Sequence, residues 1–127
     1  MNIVLWILQI LLGLYFIVVG VMHFIVPPGL PAQMAWMYEL TPALHWISGL
    51  AEILGGFGLI LPGIFKIQTR LTWMAAWGLA LVMALATVYH LTRGETQNIF
   101  VNLLLLALLV FVAYGRQRLR PLADRSA

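Results

Sequence analysis

Six side chains in an otherwise apolar sequence have the chemistry for a site: Glu52, the histidines His23, His45 and His90, and the amides Asn98 and Asn102. Glu52 sits within His45–Pro62, a run apolar enough to cross a bilayer. A charge at the centre of a bilayer costs about 3 kcal/mol on insertion scales, so an acidic residue there needs a partner or a proton. No Lys or Arg lies at its depth, which leaves a histidine proton or Arg93 to compensate it. A carboxyl so held can act as a general acid or base, a link in a proton relay or a ligand anchor. It can also simply fix helix packing through an interhelical hydrogen bond. Each histidine carries the same pair of readings, a donor or acceptor in a site or an ordinary interfacial residue.

Four apolar runs must position these groups. The first spans Ile3 to Val26 and stops at Pro27-Pro28, which cannot comfortably continue a helix. On it Gln9, Gly13, Phe16, Gly20 and His23 follow steps of four and three and so share one face, with two glycines that allow close packing. The second spans Ala43 to Leu61, with Thr41-Pro42 as its start signal and Pro62-Gly63 as its stop. The third spans Leu71 to Leu91 and carries Ala76, Ala80 and Ala84 as a small-residue stripe. The fourth spans Asn98 to Tyr114. Between the first two, Leu30–Leu40 is too short to span and too apolar for a free loop. It reads as a short helix on the membrane surface with Met34 and Met37 inward, a candidate lid, or else as a tucked loop. The fold class is therefore all-α, a four-transmembrane-helix bundle with a short interfacial helix between helices 1 and 2. Residues 1–115 form one membrane domain, and 116–127 form a basic tail that the composition predicts to fray.

Charge placement orients the bundle. Lys66, Arg70, Arg116, Arg118, Arg120 and Arg125 fall at the end that carries both termini, and only Arg93 falls at the other. The positive-inside rule then puts both termini in the cytoplasm, in an inner or plasma membrane. With that orientation His23, His45, His90, Asn98 and Asn102 all lie in the outer half, and Glu52 lies about 10 Å deeper than His45 on the same helix face. Tyr89 and Trp46 sit at the outer interface beside them, as interfacial aromatics do.

Composition excludes several classes. The chain has 127 residues, 63% hydrophobic and 9% charged, against roughly 25% charged in soluble domains. It has no cysteine, which removes disulfide exchange, thiolate metal sites and a cysteine nucleophile on this chain. The net charge of +3 sits where membrane topology needs it and does not point to nucleic acid. Glu and His are good ligands for zinc or iron, but no span carries His-x-x-x-His or Glu-x-x-His, and a metal site is the lesser reading. No Lys or Arg precedes the first run, which is too long for a signal-peptide core and reads as a retained span.

Three stretches resemble the DoxX-like family of small four-helix membrane proteins. They are Gly20-Val-Met-His23-Phe24 followed by prolines, Ser48-Gly49-Leu-Ala-Glu52-Ile-Leu-Gly55-Gly56 with its closing Pro62, and Ala86-Thr-Val-Tyr-His90-Leu followed by Gly94. The resemblance implies a four-helix bundle. Some relatives serve membrane redox systems, among them a thiosulfate:quinone oxidoreductase subunit, and more distant ones act as assembly chaperones for membrane receptors. Glu52 and His90 match recurring polar positions of the family. The absence of cysteine is at odds with any role in disulfide chemistry.

The residues and the resemblance together predict a pocket in the outer half of the bundle for a quinone, an isoprenoid-like lipid or another small apolar molecule with a polar head. Glu52 and His90 would act as acid/base groups, with His23, His45, Asn98, Asn102, Tyr89 and Trp46 around the head. The sequence names no cofactor, and quinone is one class compatible with it; a membrane redox or assembly partner and a homo-oligomer are compatible with the same chain. The alternative is a non-enzymatic assembly or scaffold subunit, in which the small-residue faces matter more than Glu52. A transporter fits less well, because four short helices without a repeat leave little room for alternating access.

Overall fold

The computed structural model describes residues 1–125. It is all-helical over those residues, with four long helices, α1 (Asn2–Ile25), α2 (Pro42–Phe65), α3 (Arg70–Arg93) and α4 (Thr96–Tyr114). A 3-10 helix, Ala32–Tyr38, lies between α1 and α2 and is called the lid below. Each long helix, with α4 counted through Leu119, has the length and hydropathy to cross a membrane. The chain is thus an integral membrane four-helix bundle. Neighbours in sequence are neighbours in space: α1 packs on α2, α2 on α3 and α3 on α4. Leu5, Leu12 and Phe16 of α1 meet Leu59, Leu79, Leu105 and Leu109 in the core, while exposed Leu, Ile, Val and Phe cover the outside. That inversion of the usual soluble pattern is what a lipid solvent requires.

The predicted α1 face is the packed one: Gln9, Gly13, Phe16, Gly20 and His23 are all buried. Its glycines let the α1 and α2 backbones touch. A Cβ on Gly56 would lie 2.6 Å from the Gly13 carbonyl oxygen, and one on Gly20 would lie 2.9 Å from that of Gly49. This close approach fixes the register of α1 against α2, and with it the heights of His23, His45 and Glu52. At the start of α2 the Thr41 hydroxyl accepts from the Leu44 N–H, with Pro42 as the first helical residue, as the sequence signalled.

The stop expected at Pro62-Gly63 is not one. Helix α2 runs through Pro62 to Phe65 and ends on Lys66 in the left-handed conformation. Pro62 gives up the bond its missing N–H would make to the Gly58 carbonyl, but its own carbonyl still accepts from the Lys66 and Ile67 N–H groups and closes the last turn. Gly63 is used for packing: Trp6 fills the space beside it.

Residues 116–125 of the C-terminal tail are docked and not frayed as their composition suggested. After α4 one π-helical segment, Gly115–Leu119, turns Arg116 inward, where it is 2% exposed. Its Nε donates to Gln9 Oε1 at 2.6 Å and its Nη1 to Asn2 Oδ1 at 2.7 Å, while Gln9 Nε2 donates to the Leu59 carbonyl at 2.9 Å. These bonds join α1, α2 and the end of α4 at the end of the bundle that carries the termini. Farther on, the Thr69 hydroxyl donates to Asp124 Oδ1 at 2.5 Å, the Thr69 N–H donates to the same oxygen at 2.9 Å, and the Arg125 N–H donates to the Lys66 carbonyl. Residues 126 and 127 of the expected tail lie outside the described residues.

The Thr69 hydrogen bonds, side chain first and backbone second, hold the Asp124 carboxyl below its usual range. A lowered folded-state value means docking favours the ionised form. Its contribution is complete above the ordinary carboxyl pKa of about 3.9 and is lost as pH falls through the lower, docked value. Protection of the Thr69 amide, its exchange relative to an unstructured peptide at the same pH, should therefore be high at neutral pH and lost only in strong acid, and Asp124→Asn should remove that acid dependence.

Candidate functional site

The end of the bundle opposite the termini is capped by the lid, and the lid is tied down at several points. Tyr38 donates its hydroxyl to the Pro27 carbonyl at 2.8 Å and accepts from the Leu30 N–H. Asn98, at the start of α4, donates to the Gln33 carbonyl at 2.9 Å. Arg93, at the end of α3, pairs with Glu39 just after the lid and with Glu95. Met37 is buried beneath, and Trp36 stands between two histidine rings, with centroids 5.9 Å from His23 and 5.1 Å from His90.

Under the lid three of the predicted residues form one line. His45 Nε2 donates to the Met37 carbonyl at 2.9 Å. Its Nδ1 lies 2.9 Å from His23 Nδ1, and His23 Nε2 lies 3.0 Å from Glu52 Oε2. Two lone pairs cannot face each other across the Nδ1–Nδ1 gap, so it holds one proton. Glu52 Oε2 lies close to His23 Nε2 but makes no hydrogen bond to it or to any other group among the described residues. Both His23 and Glu52 are 4% exposed. The nearest partner of Glu52 in its apolar helix is thus His23, while Arg93 is engaged elsewhere. With the carboxyl protonated and both imidazoles neutral, no net charge is desolvated.

Glu52 lines a cavity of about 220 Å³. Its wall draws on Tyr15 and His23 of α1, Trp36 of the lid, Ser48 and Ala51 of α2, Met83, Tyr89 and His90 of α3, and Asn102 of α4. Ile47 and Leu85, 65% and 62% exposed, also border it, so it opens sideways along the seam of α2 and α3. Two buried donors in the wall, Trp36 Nε1 and Asn102 Nδ2, have no hydrogen-bond partner. An unpaired buried donor costs about 1–3 kcal/mol, which a ligand acceptor would recover.

The tautomer of His90 is set by its neighbours. Its Nδ1 lies 2.8 Å from Glu95 Oε1. Burial opposes ionisation of Glu95, but hydrogen bonds from His90 and Arg93 outweigh it and lower its pKa. An ionised Glu95 only accepts, so the His90 proton sits on Nδ1 and Nε2 is left with a lone pair when the ring is neutral.

The structure therefore brings together Glu52, His90, His23, Asn102 and Tyr89 around one cavity, with His45 behind His23. It does not bring in Trp46, which is 60% exposed and stacks edge-on against Phe24. Asn98 serves the lid and is not part of the cavity wall. Sequence reasoning missed Tyr15 and the orienting role of Glu95. Tyr15 falls eight residues before His23, near one face of α1, a spacing that could have flagged it.

A second, shallower groove continues along the same seam. It is lined by Leu54, Gly55, Gly58, Leu71, Met74, Ala75 and Gly78, and it shares Ala51 with the polar cavity.

No curated protein and no solved structure matches the chain. The family model of the DoxX-like family matches residues 7–112, from the first turns of α1 to the last of α4 and including every group in the cavity wall. The chain belongs to the DoxX-like family.

Proposed function

We propose that this protein binds the polar head of an isoprenoid-tailed lipid, with a quinone or quinol the favoured class, in the cavity between Glu52 and His90. The observation that carries the reading is a mostly apolar cavity holding two unpaired buried donors and a carboxyl that makes no hydrogen bond among the described residues. Ligand pockets for whole drug-sized molecules run to about 300–1,000 Å³. A cavity of about 220 Å³ suits a single ring and its substituents. Carbonyl or ether oxygens of the head would accept from Trp36 and Asn102, and a hydroxyl would meet Glu52 or His90 Nε2. The adjoining groove would take the apolar tail, since it begins at Ala51 and carries no polar side chain. Glu52 would serve as the acid/base group of any reaction, with His90 as the second.

The positive residues at the end with the termini favour a cytoplasmic location for that end. The lid and cavity would then lie in the outer half of an inner or plasma membrane, with lateral access from the bilayer. The alternative reading as a scaffold subunit draws less support, because Gly13 and Gly20 of α1 and Gly49 and Gly56 of α2 are used in the contact between those two helices.

Native mass spectrometry of the gently solubilised protein tests the reading. A co-purifying prenylated or quinone-type lipid is expected, with reduced occupancy in Trp36→Phe and Asn102→Leu, about two- to tenfold for each lost hydrogen bond. A chain that carries no small molecule, or whose adducts are untouched by both substitutions, would contradict it.

A further inference from the structure

We infer that Glu52, His23 and His45 form a proton relay that takes the proton of a ligand hydroxyl and carries the resulting positive charge to His45, beneath the lid. The inference rests on the ligand reading above and narrows it to a head with an ionisable hydroxyl, a phenol or hydroquinone.

Hydrogen-bond bookkeeping carries it. The Met37 carbonyl can only accept, so His45 Nε2 always bears a proton. In the resting neutral state His23 Nδ1–H donates to His45 Nδ1, and Glu52 carries its proton on Oε2, 3.0 Å from His23 Nε2 but not hydrogen-bonded to it. Glu52 Oε1 takes part in no hydrogen bond within the described residues, and the residue lines the cavity. One more proton can enter there without breaking any contact. The ligand O–H bond breaks and Oε1–H forms. The Oε2 proton passes to His23 Nε2, and the His23 Nδ1 proton passes to His45 Nδ1. The products are a ligand oxyanion and a His45 imidazolium; the Nδ1–Nδ1 gap again holds one proton, and His23 is neutral but in its other tautomer. The two charges end on opposite sides of the His23 ring. The oxyanion remains beside the donors Trp36 Nε1 and Asn102 Nδ2, and the imidazolium sits where His45 is only half-buried.

The other ionisable groups around the relay are Tyr15 from α1 and His90 from α3, both in the cavity wall. Helix α4 contributes the uncharged Asn102, and Glu39, next to the lid, is engaged by Arg93.

The test is ¹⁵N NMR of the histidine rings in the full chain, labelled and placed in lipid nanodiscs. The relay predicts a through-hydrogen-bond coupling between the two Nδ1 atoms. It also predicts that His23 changes from the Nδ1–H to the Nε2–H tautomer at the same pH at which His45 becomes an imidazolium. Independent titration of the two rings, or a His23 tautomer that never changes, would overturn it. A bound prenylated phenol should shift the joint change of His23 and His45, and its methyl ether should not. Equal effects of the two probes would also overturn the relay. If mass spectrometry shows that neither probe binds, the ligand reading fails alone, and the pH titration still decides the relay.

Discussion

Glu52→Gln should lower the affinity for a prenylated phenol or quinol about ten- to hundredfold while leaving the bundle folded. The amide keeps the volume of the side chain and its place beside His23, but it cannot take a proton. What is lost is a hydrogen bond to an ionisable partner, worth about 1.5–3 kcal/mol. Folding should survive because the register of α1 on α2 is set by Gly13, Gly20, Gly49 and Gly56, which the substitution does not touch. Affinity by titration calorimetry in detergent, beside a thermal melt of the same sample, separates the two effects. Unchanged affinity would remove Glu52 from the site; a lost melting transition would make it a structural residue. Glu52→Ala is the harsher variant, since it leaves His23 Nε2 buried with no partner.

The largest loss of stability should come from one methyl group. In Gly56→Ala the added carbon would stand 2.6 Å from the Gly13 carbonyl oxygen and 2.7 Å from Ile17 Cγ1. Neither helix backbone can yield without moving the whole α1–α2 contact. Overpacking of this kind costs about 1–3 kcal/mol. The paired control is Gly78→Ala, where a Cβ would meet nothing within 4 Å. There alanine should be neutral or stabilise by up to about 1 kcal/mol, because glycine is the poorer helix former. Unfolding in mixed detergent measures both. Equal destabilisation at the two positions would mean that glycine content, and not the close approach, is what matters. Because that approach also sets the heights of His23 and His45, Gly56→Ala should weaken ligand binding along with stability.

Much of this arrangement was legible in the residues because bilayer thickness and helical period leave few choices. Apolar runs of sufficient length had to be spans, and steps of three and four along α1 had to place Gln9 and His23 on one buried face. Thr41-Pro42 had to start a helix for local reasons of backbone chemistry. Pairing was less legible. That His23 would bridge Glu52 and His45 depends on the glycine-set register of two helices, which is a tertiary property. Trp46 was expected near the head group, but it follows His45 directly. Neighbours on a helix point about 100° apart, so one facing the core sends the other toward lipid. Asn98 lies one turn above Asn102 on α4, and that single turn is the difference between reaching the lid and reaching the cavity.

The C-terminal arginines were read as topological charge, and Arg116 is more than that. Burial of a guanidinium on neutral acceptors is not visible in composition. The available hint was Gln9, a lone amide in an apolar span that had to find partners. The π-turn at Gly115 is what brings Arg116 to it, and no sequence signal marks a π-turn. The outcome is a bundle with two polar layers: Arg116 and Gln9 fully bonded near the termini, and Glu52, His23 and His45 with unpaired groups beside them under the lid. Satisfied polar groups hold a fold together; unsatisfied ones beside a cavity are where a ligand can gain free energy.

The most direct measurement is photolabelling of the membrane-embedded protein with a photoactivatable quinone of short isoprenoid tail, followed by peptide mapping. Labels from the head should fall on Trp36, Ala51, Met83 and Asn102, four residues from four separate elements that meet only in this cavity. Excess unlabelled quinone should compete them away, and Glu52→Gln should reduce them. Labels spread over lipid-facing positions such as Leu54, Phe100 and Leu104, insensitive to competition, would show that the head never enters between Glu52 and His90.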